Sequence, residues 1–276
     1  MMFTEVAFVT PEGARLALRD YGGPANGRGI VLVHGLASNV AIWGLVGPAL
    51  AAGHRVIAYD QRGHGQSADT VDYSFEALAS DCAAVASALR DPVLVGHSWG
   101  ASVVLHCAAR NDCAAVVCVD GGLADWQGMG RGWEETERLL TPPHIEGPAD
   151  KVLARLKEYS QLDWDYAEAV VRRSFVIGED GIMRRRTPVP EHMKIVRHMW
   201  EDRLSEAYAS IDCPILLVPA RGAEPNAFTA MKENAIAGIT EHKPSVRVRW
   251  IESIHDVPLA KPDELASAIE EFVADL

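Results

Sequence analysis

The feature that most constrains the fold is a serine placed between a short apolar run and a helical pattern. Val93 to Val95 form the run, Gly96 ends it, and helical spacing begins around Gly100. A serine at such a strand-to-helix turn has a strained backbone, so the residues two before and two after it must be small. Both are glycine here. We therefore interpret Ser98 as the exposed residue of a nucleophile elbow, although an ordinary tight turn fits the same five letters.

Short apolar runs alternate with helical patterns along most of the chain, which predicts an α/β fold: a mainly parallel sheet flanked by helices on both faces. In such a sheet ligands bind at the carboxyl ends of the strands. The predicted strands are a hairpin of 3–9 and 14–20, then 30–33, 56–59, 93–95, 114–119, 214–218 and 246–251. The predicted helices are 40–52, 75–89, 99–110, 227–238 and one that starts at Pro262.

The sheet pattern stops between residues 123 and 206, where helical spacing is visible at 150–160 and 189–208 and no strand is convincing. We predict a helical cap at 123–206, inserted into an α/β core made of 1–122 and 207–276. Aromatic and Met side chains suit an apolar substrate pocket, although packing of the cap onto the core would place them there too. The pocket candidates are His34, His97, Trp126, Trp133, Trp164, Met199 and Trp200.

Charge and composition exclude several classes of partner. The 38 acidic residues against 26 basic ones give a net charge of −12, whereas a nucleic-acid or anionic-membrane surface needs a basic face. No apolar run reaches the roughly 18 residues of a membrane span. The expected partner is a small-molecule substrate, with no nucleic acid and no membrane, and the oligomeric state stays open.

The chain has five cysteines, an odd number, and their spacing is not that of metal ligands. This favours reduced thiols in the core of a cytoplasmic protein. No secretory signal is visible at the N-terminus. No cluster with metal-ligand spacing and no phosphate-cradling loop appears, so the sequence implies neither a metal nor a cofactor.

Two backbone amides are candidates to stabilise a developing anion. Trp99 opens the helix behind Ser98, where free N–H groups point outward. The turn after the strand 30–33 offers a second donor, the amide of Leu36, although this turn could also be a plain strand-to-helix loop. The charged loop 60–67 is interpreted as structural, with ion pairs inside the loop.

Four motifs occur in one order: Val-His-Gly at 33–35, Asp-Gln-Arg-Gly-His-Gly at 60–65, Gly-His-Ser-Trp-Gly at 96–100 and Ile-His-Asp-Val-Pro-Leu at 254–259. In these motifs the chain resembles the α/β-hydrolase superfamily over nearly its whole length. The resemblance implies Ser98 as nucleophile, His255 as general base and acid, and the amides of Leu36 and Trp99 as the oxyanion hole.

The carboxylate that should orient His255 departs from the commonest pattern of that superfamily. Most members place it after the strand represented here by 214–218, where this chain has Ala223 and then Glu224, one place late. The alternative is Asp120, at the end of the preceding strand, where haloalkane dehalogenases and zearalenone-type lactonases place theirs. We favour Asp120 over Glu224, and an Asp that only caps its own loop remains an alternative.

The chemistry expected is hydrolysis of a carboxylic ester or lactone of a mostly apolar small molecule through an acyl-enzyme. Cleavage of a carbon–carbon bond in a diketone, of an amide or of a thioester, and perhydrolysis, could use the same residues. Two alternative functions belong to other classes of protein. One is a non-catalytic ligand receptor on this fold, and the other is a cofactor-free oxygenase that depends on the histidine and the acid more than on the serine.

Overall fold

A mainly parallel sheet of eight strands forms the centre of the protein. The computed structural model describes residues 4–276 apart from 124, 129 and 225. Its strands are β1 (Thr4–Val9), β2 (Arg15–Gly22), β3 (Gly29–Val33), β4 (Arg55–Tyr59), β5 (Val93–His97), β6 (Ala115–Val119), β7 (Glu146–Pro148), β8 (Phe175–Ile177), β9 (Ile182–Arg185), β10 (Ile215–Val218), β11 (Ala220–Arg221), β12 (Arg247–Val248) and β13 (Ile251–Glu252).

Helices cover both faces of the sheet. After a 3₁₀ turn at Val40–Trp43 they are α1 (Val46–Leu50), α2 (Phe75–Ala86), α3 (Trp99–Ala108), α4 (Trp133–Leu140), α5 (Ala149–Tyr159), α6 (Trp164–Arg173), α7 (Val189–Glu201), α8 (Leu204–Ser210), α9 (Ala227–His242), α10 (Val257–Ala260) and α11 (Pro262–Ala274). Over the described ranges, no helix has the length and apolar character needed to cross a membrane.

The strand order of the main sheet is β1-β2-β4-β3-β5-β6-β10-β12. The N-terminal hairpin pairs antiparallel within itself and with β4, and every other pair is parallel. The predicted α/β fold with a mainly parallel sheet is therefore confirmed. Because the parallel strands all point the same way, the turns that follow β3, β5 and β6 meet at one edge.

Successive residues of the central strands enter opposite halves of the core. Val31 and Leu94 pack with α2 and α3, whereas Leu32 and Val95 pack with α1 and α11. Every residue of β3, β5 and β6 is buried, as expected for parallel strands covered on both faces. This packing holds the strand ends, and hence the turns that carry the candidate site, in fixed positions.

Two predicted elements are divided in the structure. The helix expected over 40–52 is a 3₁₀ turn followed by the short α1, because Pro48 has no N–H and fits only in the first turn of a helix. The strand expected over 246–251 is split into β12, which pairs with β10, and β13, which pairs with β11. The split faces Pro219, which lacks the N–H that a continuous ladder would use.

The segment 123–206, called the inserted segment below, contains α4 to α7 and also a three-stranded antiparallel sheet in the order β7-β9-β8. The expectation of no strand there was wrong. These strands are only three or four residues long and largely exposed, so they lack a readable alternation. The helical pattern at 189–208 is two helices, and α8 crosses the predicted boundary at residue 206.

The inserted segment is attached to the core through α6. Arg173 at the end of α6 pairs with the fully buried Asp60, with 2.6 Å between Nη2 and Oδ2. Asn39 donates to the carbonyl of Val170 at 2.9 Å, and the Ser174 hydroxyl donates to the carbonyl of Ala37 at 3.1 Å. The contacts therefore tie α6 to the loops that follow β3 and β4.

The ion pairs expected inside the loop 60–67 do not form there. Asp60 is paired with Arg173, and Arg62 forms a two-point pair with Asp81 of α2 at 2.7 and 2.9 Å. His64 accepts a hydrogen bond from the amide of Ala37 at 3.2 Å. The loop is thus structural, as interpreted, but its charged partners come from distant parts of the chain.

We expect Asp60→Ala to lower the free energy of unfolding by roughly 3–5 kcal/mol, because it leaves the buried Arg173 guanidinium without this partner. The matched control is Arg172→Ala, the neighbouring arginine of α6, which loses only an exposed pair with Glu168 and should change stability by about 0.5 kcal/mol or less. Urea denaturation followed by circular dichroism measures both. Equal losses in the two variants would contradict the anchoring role.

The cysteines divide into two groups. Cys82, Cys107 and Cys118 are buried, as expected for core thiols. Cys113 and Cys213 are partly buried and pack against the edge of the core, with their sulfur atoms 3.5 Å apart, at hydrogen-bond distance and not joined in a disulfide. All five are free thiols, three of them inside the core and this pair at its edge.

Candidate active site

Ser98 connects β5 to α3 in a strained conformation, with φ 55° and ψ −121°. A Cβ atom at Gly96 would lie 2.2 Å from the carbonyl oxygen of Gly100, and one at Gly100 would lie 2.4 Å from that of Val33. No side chain larger than glycine fits at either position. The Ser98 amide donates to the carbonyl of Val119 at 2.9 Å, which fixes the turn against β6.

The structure brings Ser98, His255 and Asp120 together. The Ser98 hydroxyl lies 2.9 Å from Nε2 of His255, a residue 157 positions later in the chain. Nδ1 of His255 lies 2.6 Å from Oδ2 of Asp120. A neutral imidazole that donates from Nδ1 to the carboxylate has its Nε2 lone pair free to accept the serine proton, which is the arrangement needed for nucleophilic catalysis.

The carboxylate of Asp120 is fully buried and bonded at both oxygens. Oδ1 accepts from the amide of Ala220 at 2.8 Å and from the ammonium of Lys232 at 2.6 Å, while Oδ2 faces His255. Burial alone would raise the pKa of Asp120, but the bonds and charges of His255 and Lys232 outweigh it and hold this pKa below its ordinary value. Asp120 is therefore an ionised acceptor.

Both candidate oxyanion donors stand beside Ser98. A Cβ atom at Gly35 would lie 3.0 Å from Cβ of Ser98, so the turn after β3 presses against the nucleophile turn. Within the described residues the amide of Leu36 has no acceptor. Trp99 is the first residue of α3, so its amide has no partner inside the helix. The two N–H groups are available to an anion formed at Ser98.

The alternative acid, Glu224, is exposed and makes no side-chain hydrogen bond among the described residues. The position directly after it, residue 225, lies outside the described part of the chain. Asp256, which precedes α10, is likewise not bonded to the imidazole. The geometry thus joins His255 to Asp120, the acid that the sequence analysis favoured.

Two of the predicted pocket residues are buried instead. His34 has no exposed surface: its Nδ1 donates to the carbonyl of Gly35 at 2.7 Å, and its Nε2 accepts from the amide of Gln61 at 2.9 Å. Its role is to hold two loops together, so the pocket assignment is corrected. His97 is 2% exposed and donates from Nε2 to the carbonyl of His255 at 2.9 Å, behind the reactive ring.

The aromatic pocket candidates of the inserted segment are partly buried and packed on one another. Trp133 and Trp200 meet edge to face at 5.8 Å, and the guanidinium of Arg197 lies over both rings. The guanidinium of Arg131 lies over Trp126 at 5.6 Å, and the Arg131 carbonyl accepts a hydrogen bond from Nε1 of Trp200 at 2.9 Å. Their role in a substrate pocket stays a prediction. The same holds for Trp164, which begins α6, and for Met199, which packs against the core.

Lys232 is the residue of the site that the sequence analysis missed. It lies on α9, 7% exposed, on the stripe that also carries the buried Ile236. A lysine at an apolar position of a helix is the only signal the sequence offered, and it does not say which acid the lysine meets. The two residues are 112 positions apart.

Three buried histidines make acid stability a testable property of the fold. Burial lowers the pKa of His34 and His64 to about 3 and that of His97 to about 4. Since these values lie below the unfolded pKa of about 6.5, the unfolded chain binds more protons in between, so stability is complete above pH 6.5 and declines as the pH falls toward 3–4. Each histidine contributes at most about 1.4 kcal/mol per pH unit in that window.

We therefore expect urea denaturation at pH 7.5 and pH 5.0 to show a marked loss of stability at the lower pH. His64→Gln should reduce this difference, whereas His144→Gln, whose side chain is 82% exposed, should leave it unchanged. An equal pH difference in the two variants would mean that His64 does not stay neutral in the folded protein.

A strained serine at a sharp turn, a histidine, a buried acid and two amides stand together at the carboxyl edge of a parallel sheet, which is the arrangement that catalysis by a serine nucleophile needs. The model of the alpha/beta hydrolase family matches residues 30–268. The chain belongs to the alpha/beta hydrolase family.

Curated relatives share parts of this chain. A protein named "Putative carbamate hydrolase RutD" from Variovorax paradoxus is 43% identical over 31% of the chain, and the match spans only 34% of that protein. The RutD of Shigella flexneri is 26% identical over 78% of the chain and 93% of its own length. A non-heme haloperoxidase of Rhodococcus erythropolis is 38% identical over 40% of each chain.

Solved structures support the fold along its whole length. E-2-(acetamidomethylene)succinate hydrolase superimposes with a TM-score of 0.82 over 99% of this chain and 100% of its own, at 22% identity. A thioesterase domain from the curacin biosynthetic pathway superimposes with a TM-score of 0.77 over 98% of this chain and 99% of its own, at 20% identity. At such identities the likeness concerns the fold alone.

Proposed function

We propose that this protein is a serine hydrolase that cleaves a carboxylic ester or lactone of a mostly apolar small molecule through an acyl-enzyme. The observation that carries the proposal is the continuous hydrogen-bonded chain from Ser98 Oγ through His255 to Asp120, with distances of 2.9 and 2.6 Å. The partly buried aromatic side chains of the inserted segment support an apolar substrate, and the free thiols support the cytoplasmic location.

In the first half-reaction Ser98 Oγ attacks the acyl carbon while its proton passes to Nε2 of His255. Asp120 holds the ring in the required tautomer and stabilises the imidazolium that forms. The carbonyl oxygen becomes an anion held by the amides of Leu36 and Trp99, each contributing about 2.7–4 kcal/mol to lowering the barrier. His255 then gives the proton to the departing alcohol.

In the second half-reaction a water replaces the alcohol and attacks the acyl-enzyme, with His255 again taking and returning a proton. The His255 side chain is 51% exposed, so solvent reaches the ring directly. An open imidazole suits deacylation by water, because the nucleophile needs no separate channel. The same exposure lets an alcohol leaving group pass directly into solvent.

A second candidate is hydrolysis of a carbamate or of the related amide, favoured by the likeness to the putative carbamate hydrolase RutD. A nitrogen leaving group must be protonated as it departs, whereas an activated ester needs little help. Turnover of an ester, an amide and a carbamate that share one acyl group therefore separates the candidates. A kcat/KM for the ester far above the other two supports the first proposal.

The proposal is tested by labelling with a fluorophosphonate, which reacts with an activated serine. We expect one phosphonyl group on Ser98 by mass spectrometry, none in Ser98→Ala, and full labelling in Ser102→Ala, which removes a serine one turn further along α3. An unlabelled wild-type protein that still binds ligand would favour the receptor reading instead.

A further inference from the structure

Lys232 contacts Asp120 at the carboxylate oxygen that does not face His255. Its ammonium donates to Oδ1 of Asp120 at 2.6 Å and to the carbonyl of Ala220 at 2.7 Å. The side chain is 9% exposed, and the carboxylate it meets is not exposed at all. Asp120 is thus shared between two partners, the imidazole of His255 at one oxygen and a buried cation at the other.

The backbone around Asp120 does not fix this carboxylate alone. Asp120 has a φ of 43°, and the following Gly121 approaches so closely that a Cβ atom there would lie 2.1 Å from the carbonyl oxygen of Ser98. The turn places the carboxylate, but its rotation depends on the two donors at Oδ1, the amide of Ala220 and the ammonium of Lys232. Removal of the ammonium leaves the amide of Ala220, a weaker donor, at Oδ1.

A buried ion pair is costly, because both charges lose their hydration, and two well-packed apolar side chains in place of such a pair are often no less stable. Folding stability alone therefore gives little reason for a buried lysine paired with a buried acid here. The ring of Phe228 at 5.1 Å and the carbonyl of Ala220 compensate part of the lost hydration, and Asp120 supplies the opposite charge.

We propose that Lys232 is a positioning residue of the active site, which holds Asp120 in register with His255 and partly neutralises its charge. The inference rests on the proposed function and deepens it. With the ammonium present, the imidazole faces a carboxylate whose charge is partly balanced. Without it, the full negative charge acts on the ring and makes its protonation easier, and a protonated ring cannot accept the Ser98 proton.

Within the described part of the chain, four titratable groups near His255 come from four different elements. Asp120 contacts the ring from the end of β6, Lys232 stands behind that acid on α9, His97 lies 4.9 Å away on β5, and Asp256 is the next residue of its own loop. Burial and the charge of His255 lower the pKa of His97 to about 4, so His97 is neutral through the working range. A substitution of Lys232 is therefore expected to affect His255 mainly through the charge and position of Asp120.

The test compares Lys232→Met, which removes charge and bond, with Lys232→Gln, which keeps a donor without charge, and Lys232→Arg, which keeps the charge. The control is Lys243→Met, at the residue that directly follows the same helix and whose ammonium donates to the carbonyl of Ile211. For each variant the pH profile of kcat/KM with an activated ester and the NMR titration of the His255 ring are measured, together with the thermal midpoint.

We expect the acidic limb of the Lys232→Met profile to move to higher pH by about one unit, with a plateau roughly tenfold lower. Lys232→Gln should show the same displacement, Lys232→Arg should restore the limb, and Lys243→Met should match the wild type. A lower thermal midpoint with an unmoved limb in both Lys232→Met and Lys232→Gln would reduce Lys232 to a structural residue and overturn the proposal.

The NMR titration separates this proposal from the proposed function. If the wild type does not turn over any ester, the hydrolase proposal fails, but the NMR spectra of the His255 ring in the wild type and in Lys232→Met can still be compared across the same pH range. A displaced titration in Lys232→Met then upholds the coupling between Lys232 and His255, and an unchanged titration overturns it.

Discussion

Asp120→Asn is expected to lower kcat by about 10⁴-fold with little change in fold, because an amide can donate to Nδ1 and so favours the wrong imidazole tautomer. Asp120 is the acid that contacts His255, at 2.6 Å. Rates with an activated ester at the plateau of the pH profile measure the effect. The thermal midpoint controls for misfolding, since the buried Lys232 loses its ion partner in the same variant.

The matched control is Glu224→Gln, which changes the other acid that the sequence allows. Glu224 is exposed, so we expect its rate to stay within about twofold of the wild type, as for a surface substitution away from the site. A large loss in Glu224→Gln combined with a small one in Asp120→Asn would move the assignment to the loop after β11.

Ser98→Ala is expected to have the largest effect, a fall in kcat on the order of 10⁶-fold, as when the nucleophile of a triad is removed. The substitution removes one oxygen from a partly buried position, so the fold and the affinity for a product analogue should be kept. Single-turnover and steady-state rates with the same ester measure the loss, and isothermal titration measures the affinity.

The variant Ser98→Ala also tests the alternative function of a cofactor-free oxygenase. A cofactor-free oxygenase uses the pair of His255 and Asp120 and would keep most of its turnover without the serine hydroxyl. Retained turnover of an oxidisable substrate in Ser98→Ala, together with loss in Asp120→Asn, would therefore contradict the acyl-enzyme mechanism and favour oxygenation.

The parts of the site that could be predicted are those in which local sequence determines local geometry. The glycines on either side of Ser98 are required by contacts of 2.2 and 2.4 Å with backbone oxygens, so the elbow was predictable from these five residues together with the strand before them and the helix after them. The apolar pattern places Asp120 at the end of a buried strand, and its choice as the acid came from the resemblance to haloalkane dehalogenases and zearalenone-type lactonases. The elbow depends on short-range sterics, and the position of Asp120 depends on the burial of parallel strands.

The parts that could not be predicted depend on partners that meet only after folding. The sequence shows Asp60 and Arg62 side by side in one loop, but Arg173 pairs with the former and Asp81 with the latter. The sequence likewise does not indicate that Lys232 is the ion partner of Asp120. A charged residue reveals its type in the sequence, but its partner is decided by the packing of helices against the sheet.

The attachment of α6 has a mechanical consequence. Ser174 binds the carbonyl of Ala37, which directly follows Leu36, and Arg173 binds Asp60 of the neighbouring loop. A displacement of α6 would therefore also move the turn that carries Leu36, the candidate oxyanion donor, so any opening of the inserted segment at α6 would disturb the proposed anion site.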